Sequence, residues 1–174
     1  MLAAYVSGVN TNIWTSDNSG LSWNPRATSG RWQAITWSSD GTKLYAAEIN
    51  TNSNGGYIWT FEYDGGTWTE KPVSIGAKWW WRITSSSDGT KLAAIASQYI
   101  WNSTDSGTTW TRDESVGSPQ DWQAITSSSD GTKLCAAANA GYIWTYPPPP
   151  PPPPLTCCEE ALATYGFENG KELR

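Results

Sequence analysis

The chain has no histidine, one Met and only two Phe among its 174 residues. Without histidine there is no Ser-His-Asp triad, no histidine general base and no histidine-bearing zinc site. Charge is scarce too: Asp, Glu, Lys and Arg make up 16% of the residues, and the net charge is −5. A nucleic-acid binder needs a basic stripe, so the acidic balance argues against nucleic-acid partners. No run of 18 apolar residues occurs, which excludes a transmembrane helix. The opening MLAAYVSGVN has neither a basic region nor a full apolar stretch, so no signal peptide is read there. The three cysteines, Cys135, Cys157 and Cys158, are odd in number and two are vicinal, which is no disulfide framework. What the sequence does hold is Ser, Thr, Asn and Gly for an uncharged polar surface, and 13 Trp.

The main signal is an internal repeat. SSDGTKL stands at 38–44, 86–92 and 128–134, placing Asp40, Asp88 and Asp130 at spacings of 48 and 42. Eight residues before each Asp is a Trp (Trp32, Trp80, Trp122), and five before is an Ile (Ile35, Ile83, Ile125). Tyr-Ile-Trp stands at 57–59, 99–101 and 142–144, with a worn copy at Asn12-Ile13-Trp14. A third motif, Ser-Thr-Asp-Ser-Gly-Thr-Thr-Trp at 103–110, recurs loosely as SDNSGLSW at 16–23 and YDGGTW at 63–68.

Each repeat reads as four short strands. Strand A is Trp-x-x-Ile-Thr, at 32–37, 80–85 and 122–127. Asp-Gly turns the chain, since Gly tolerates positive φ and Asp bonds its own backbone. Strand B is Lys-Leu-x-Ala-Ala, with Leu2-Ala3-Ala4 as a first copy; strand C carries Tyr-Ile-Trp; strand D begins near Trp23, Trp68 or Trp110. A period in the forties with four antiparallel strands is one propeller blade. The expected fold is therefore all-β, with blades of four antiparallel strands and about three and a half blades per chain, completed within the chain or by assembly. The first blade lacks A and the last lacks D, for 14 strands in all. The expected division is 1–146 blades, 147–154 linker and 155–174 tail.

The turn Ser103-x-Asp105-x-Gly107-x-Thr109-Trp110 resembles the Asp-box of BNR-repeat, sialidase-like propellers, and with the other two motifs the resemblance covers 1–146. The copy at 16–23 keeps Ser16, Gly20 and Trp23 but has Asn18 where the Asp belongs; the copy at 63–68 has lost the leading Ser. The resemblance implies a structural turn between strands C and D, with the carboxylate accepting hydrogen bonds and the Trp packed between blades. It does not extend to sialidase catalysis. None of Arg26, Arg31, Arg82, Arg112 and Arg174 lies in an Arg-Ile-Pro motif. Most carboxylates are committed to turns, whereas a glycosidase needs two across one cleft. No enzyme activity, metal or cofactor is expected.

Ten of the 13 Trp belong to the repeat and are read as core, including Trp14, Trp59, Trp101 and Trp144. Trp37, Trp79 and Trp81 are left over. The D–A and B–C loops should form one face, and a ligand face is expected there from Arg26, Arg31, Asn52, Lys78, Trp79 and Asp121, with Asn50, Asn54 and Asp113 nearby. An exposed Trp beside Asn and Asp suits a sugar ring, so glycans are one expected partner.

Residues 147–154 are eight prolines: Pro147, Pro148, Pro149, Pro150, Pro151, Pro152, Pro153 and Pro154. Such a run takes the polyproline II form, a stiff spacer of roughly 25 Å. Its composition resembles hydroxylated, O-glycosylated stalks of cell-wall and surface glycoproteins, and Asn102-Ser103-Thr104 is a glycosylation sequon. In the tail, 159–165 suits a short helix and 162–167 equally a strand. Unfinished end blades invite another chain. The function expected first is a non-catalytic extracellular or cell-surface structural protein that self-associates into an oligomer or fibre. The alternatives are a carbohydrate-binding surface module and a fragment of a sialidase-like glycosidase.

Overall fold

The computed structural model describes residues 2–5, 11–49, 55–65, 67–73, 76–116, 119–139, 141, 143–147, 167–168 and 171–172. Four antiparallel meander sheets follow one another along the chain. Blade 1 is β1 (Leu2–Tyr5), β2 (Thr11–Ser16) and β3 (Asn24–Gly30). Blade 2 is β4 (Trp32–Trp37), β5 (Lys43–Glu48), β6 (Ile58–Tyr63) and β7 (Trp68–Pro72). Blade 3 is β8 (Trp80–Ser85), β9 (Leu92–Ala96), β10 (Tyr99–Ser103) and β11 (Thr111–Arg112). Blade 4 is β12 (Trp122–Ser127), β13 (Leu134–Ala138) and β14 (Ile143–Tyr146). Among the described residues these are the 14 blade strands read from the repeat, with no strand A in the first blade and no strand D in the last. A two-residue hairpin pairs β15 (Phe167–Glu168) with β16 (Lys171–Glu172). Most of the tail and all of the prolines after Pro147 lie outside the described residues.

The blades stack because strand alternation gives each sheet two apolar faces. In β5, Leu44 and Ala46 pack on blade 1 through Ile13, while Tyr45 and Ala47 pack on blade 3 through Trp80. In β9, Leu92, Ala94 and Ala96 face blade 2, while Ile95 joins Trp122 and Ala136 of blade 4. Blades 2 and 3 thus each have a front face toward their predecessor and a back face toward their successor. The buried residue of Tyr-Ile-Trp is the Ile: Ile13, Ile58 and Ile100 are 0% exposed, each pressed on the next blade.

The Trp assignments need correction. Trp32, Trp80 and Trp122 are core as expected. Trp59, Trp101 and Trp144 are only half-buried, each edge-on to the strand-A Trp of its own blade at 6.3–6.4 Å between ring centroids. Trp14 is 36% exposed, and among the described residues blade 1 has no strand A to supply that partner. Trp23 is also exposed, so the box Trp does not pack between blades there. Trp37 packs against the blade 1–2 cluster.

Each strand A also carries a bulge at one position: the register shifts between Trp32 and Ala34, between Trp80 and Arg82, and between Trp122 and Ala124. The extra residue is Gln33, Trp81 or Gln123, and a bulge re-aims the side chain it carries.

Candidate functional site

At the end of the blades opposite the Asp-Gly turns, a cleft of about 440 Å³ opens between blades 3 and 4. Its floor is Ile95 and Trp122, both buried. One wall is Trp79, just before β8, with Trp81 and Arg82 of that strand; Trp79 is 40% and Trp81 44% exposed. The rim is Ser97 and Gln98 from the β9–β10 turn, and Gln120, Asp121 and Gln123 around the start of β12.

The loops are held by backbone bonds that follow the repeat. The carbonyl of the residue before each strand-A Trp accepts from the end of strand B: Ile49 N to Arg31 O at 2.8 Å, Ser97 N to Trp79 O at 3.2 Å, Asn139 N to Asp121 O at 2.8 Å. Across the cleft, Gln120 N donates to Gln98 O at 3.1 Å. Ser97 and Gln98 both sit at positive φ, 48° and 73°. A two-residue hairpin turn demands this conformation, and non-glycine residues adopt it only at a cost. Asp121 is engaged on both oxygens, by Gln123 Nε2 at 2.8 Å and Asn139 Nδ2 at 3.0 Å. Arg82 donates one N–H to the Trp81 carbonyl at 2.8 Å. The cleft therefore offers two indole faces, the N–H donors of Arg82, and a carboxylate held on each oxygen by a neighbouring amide.

The expected ligand face comes together only in part. Trp79 and Asp121 share the cleft. Lys78 turns away, its Nζ 4.6 Å from the centroid of the Trp101 ring. Arg26 lies on β3 of blade 1, where its Nε donates to Thr15 Oγ1 at 2.9 Å. Arg31 holds in blade 2 the repeat position that Trp79 holds in blade 3. Asn50, Asn52 and Asn54 lie outside the described residues. Asp113 and Glu114 line a different cavity of about 500 Å³, so they do not join Asp121. Sequence reasoning missed Trp81, Arg82, Gln98, Gln120 and Gln123 as cleft residues.

The box turns are hydrogen-bonded structures. Asp105 Oδ1 accepts from Ser103 Oγ and Thr109 N, both at 2.8 Å, and Oδ2 accepts from Thr109 Oγ1 at 2.5 Å. Gly107 N donates to Ser103 Oγ at 3.0 Å, and Trp110 Nε1 donates to Gly107 O at 3.0 Å. These bonds hold the Asp105 carboxyl below its ordinary value, Thr109 contributing most. In the 16–23 copy Asn18 takes the same place: its Oδ1 accepts from Ser16 Oγ at 3.0 Å and Ser22 N at 2.9 Å, while Gly20 N donates to Ser16 Oγ. The sequon reading of Asn102 is not favoured by the fold. Asn102 is half-buried within β10, and its Nδ2 donates to Asp113 Oδ2 at 3.0 Å, whereas a sequon is expected in a surface loop.

Among the described residues, no three His, Cys, Asp or Glu side chains converge as a metal site. No helix there is long and apolar enough to cross a membrane.

No protein-family model matches the chain, and no curated protein matches it. Solved structures do. A gluconolactonase from Xanthomonas campestris superposes with a TM-score of 0.57 at 14% identity, covering 78% of this chain and 44% of that one. The β-propeller domain of Cps50 (Swd1) from Myceliophteria thermophila gives 0.58 at 12%, covering 82% and 46%. YCF48 from Cyanidioschyzon merolae gives 0.58 at 17%, covering 82% and 49%. The fold is that of β-propeller blades, and the chain spans a little under half the length of these three structures. The similar structures include enzymes as well as YCF48 and a Swd1 domain, so the likeness is one of fold.

Proposed function

We propose that this chain is a non-catalytic structural protein of the cell surface or extracellular space. Its Asp-box-type blades join from copy to copy, with the proline-linked tail, into an oligomer or fibre. One observation carries the reading. The back face of blade 4 repeats the residue positions that blade 2 buries against blade 3. Ala34, Tyr45, Ala47 and Ile58 are buried there, and their repeat equivalents in blade 4 are Ala124, Cys135, Ala137 and Ile143. Ile143 is 73% exposed, against 0% for Ile58 and Ile100. What such a face takes, at three joints within this chain, is a front face bearing the strand-A Trp (Trp32, Trp80 or Trp122) with small or branched residues beside it. Blade 1 has no described strand A, and its front shows the strand-C Trp14 instead, 36% exposed. Joining back to front is a heterologous contact, which closes a ring or propagates a filament.

The carboxylates support a non-catalytic role. Asp40, Asp88, Asp105 and Asp130 accept hydrogen bonds in turns and are shifted down. Glu48 accepts from Trp59 Nε1 at 2.8 Å, Glu114 pairs with Arg112 at 2.7 Å, and Asp113 accepts from Asn102 and Ser115. The turn chemistry at 103–110 and 16–23 supports the Asp-box family, and the proline run with a polar, uncharged surface supports the extracellular placement. Sedimentation velocity across a range of concentrations, with electron microscopy of the particles, tests the proposal. Species larger than one chain are expected; a monomer at every concentration ends it.

A further inference from the structure

Two features of this molecule match each other. One is the cleft between blades 3 and 4, where Trp79 and Trp81 stand exposed on one wall. The other is the run of eight prolines that follows β14. We infer that the cleft is a docking site for this proline run, supplied by a second copy of the chain. The inference rests on the reading that the chains self-associate, and names where the arm goes.

The chemistry favours this occupant. A polyproline II helix presents flat apolar rings and, having no N–H, carbonyl oxygens that only accept. Aromatic-lined grooves recognise it by stacking rings against rings and donating to those carbonyls. The cleft supplies both parts. Trp79 and Trp81 offer the ring faces. Arg82 carries five N–H donors, of which one is given to the Trp81 carbonyl. Asp121, the carboxylate lining the cleft, already accepts from Gln123 and Asn139, one bond on each oxygen. The donors of Arg82 suit a ligand of acceptors, and the oligosaccharide arm of the test separates a sugar from it. The run is also already stiff, so docking loses little chain entropy.

Geometry makes the donor a second copy. The cleft lies where β12 begins, at Trp122, which pairs with Ala138. The arm leaves from the other end of the blade, after Tyr146, which pairs with Leu134. A polyproline II rod of eight residues spans roughly 25 Å without reversing, so a rod starting at that end is suited to the cleft of a second copy rather than to its own.

The test uses a full-length chain whose eight prolines are replaced by Gly and Ser, titrated with an acetylated and amidated octaproline peptide and followed by the indole N–H signals in NMR and by calorimetry. Saturable shifts at Trp79 and Trp81 are expected. Trp79→Ala and Trp81→Ala should each weaken binding at least tenfold, while Trp79→Phe and Trp81→Phe weaken it less. More than half of each residue's surface is covered, so the thermal midpoint is measured alongside, and the phenylalanine variants separate lost packing from lost binding. No saturable binding, binding indifferent to both alanine variants, or tighter binding of a neutral oligosaccharide such as cellotetraose at the same two indoles would overturn the inference. The two readings fail separately. If the Gly-Ser chain still assembles and octaproline does not bind, the cleft assignment falls and the assembly stands. If the native chain stays monomeric but octaproline binds at the two Trp, the assembly reading and the second-copy donor both fall, and only the preference of the cleft for polyproline stands.

Discussion

Gly131 turns blade 4 from β12 to β13 at φ 65°, and a Cβ built on it would meet Lys91 Cβ at 2.8 Å and Ser86 Cβ at 3.0 Å, both from blade 3. Gly141 has φ 83° and nothing within 4 Å of such a Cβ. Both positions are left-handed, where a side chain costs roughly 1–2 kcal/mol. Only Gly131 adds a clash, and its nearest neighbours are the stem of a side chain and a Cβ, which cannot swing away. Gly131→Ala should therefore destabilise by more than Gly141→Ala, by about 1 kcal/mol or more. Chemical denaturation of both variants measures the difference; equal losses would show that the contact between the blade 3 and blade 4 turns is loose. The Asp-Gly turn itself was readable from SSDGTKL, but the proximity of the next blade was not. A second residue-scale feature is readable in the spacing of strand A. Trp and Ile of strand A lie three apart, an odd number, so strict alternation would put them on opposite faces. Yet Trp80 and Ile83 share one cluster, and Trp122 and Ile125 share another. The odd spacing implies the bulge that turns Trp81 outward. Blade 3 alone reads WWWR at 79–82, where blades 2 and 4 read RWQA and DWQA. That divergence within a repeat marked the cleft.

Among elements, the turn between strands A and B joins blades as well as strands. Ser38 Oγ donates to Asp40 Oδ1 at 2.5 Å and accepts from Lys43 N at 2.9 Å, and Thr42 N donates to the same carboxylate oxygen at 2.9 Å. The arrangement recurs at Asp88 and Asp130. Successive turns are then tied: Ser39 N donates to Ser87 O at 2.6 Å, and Ser87 N to Ser129 O at 2.7 Å. Tyr45 adds a buried bond to Gly89 O at 2.7 Å, and burial pushes its phenol up to about 12. The Ser86 hydroxyl, with Thr90, draws the Asp88 carboxyl from 3.8 down to about 2, and Asp40 and Asp130 are lowered by the equivalent partners in their own turns. A depressed folded pKa contributes stability that is complete above the unfolded value and lost as pH falls through the folded one. The thermal midpoint should therefore drop as pH is lowered from about 4 toward 2. A chain carrying Asp40→Asn, Asp88→Asn and Asp130→Asn should show a flatter acid limb by calorimetry, and an unchanged limb would place the acid sensitivity elsewhere. The neutral amide can serve, because Asn18 already accepts the equivalent bonds in its own turn. The order of motifs gave these elements away. The sequence could not show which Trp of each repeat is shielded, since that depends on whether another blade stands beside it.

At the scale of the molecule, the outer faces of blades 1 and 4 have no other blade against them among the described residues, and Trp14 and Ile143 are exposed there. The repeat spreads the same apolar pattern onto every face, whether or not a neighbour covers it, so the outermost faces are as sticky as the inner ones. Ile100 and Ile143 isolate this effect, because they hold the same place in Tyr-Ile-Trp. Ile100 is 0% exposed against blade 4, and Ile143 is 73% exposed on the back of it. A charge at position 100 would be buried without a partner, so Ile100→Lys should cost several kcal/mol and leave little folded protein at moderate temperature. Ile143→Lys places the same charge in water. Its effect on the folding of a single chain should stay within about 0.5 kcal/mol. In the assembly, however, that lysine would lie where Ile58 and Ile100 lie in the inner joints, and a single desolvated charge there is enough to forbid the contact. Sedimentation should then show Ile143→Lys as a monomer with the thermal midpoint of an isolated native chain. If it assembles as readily as the native chain, the back face of blade 4 is not the joint, and the proline arm alone would have to hold the copies together.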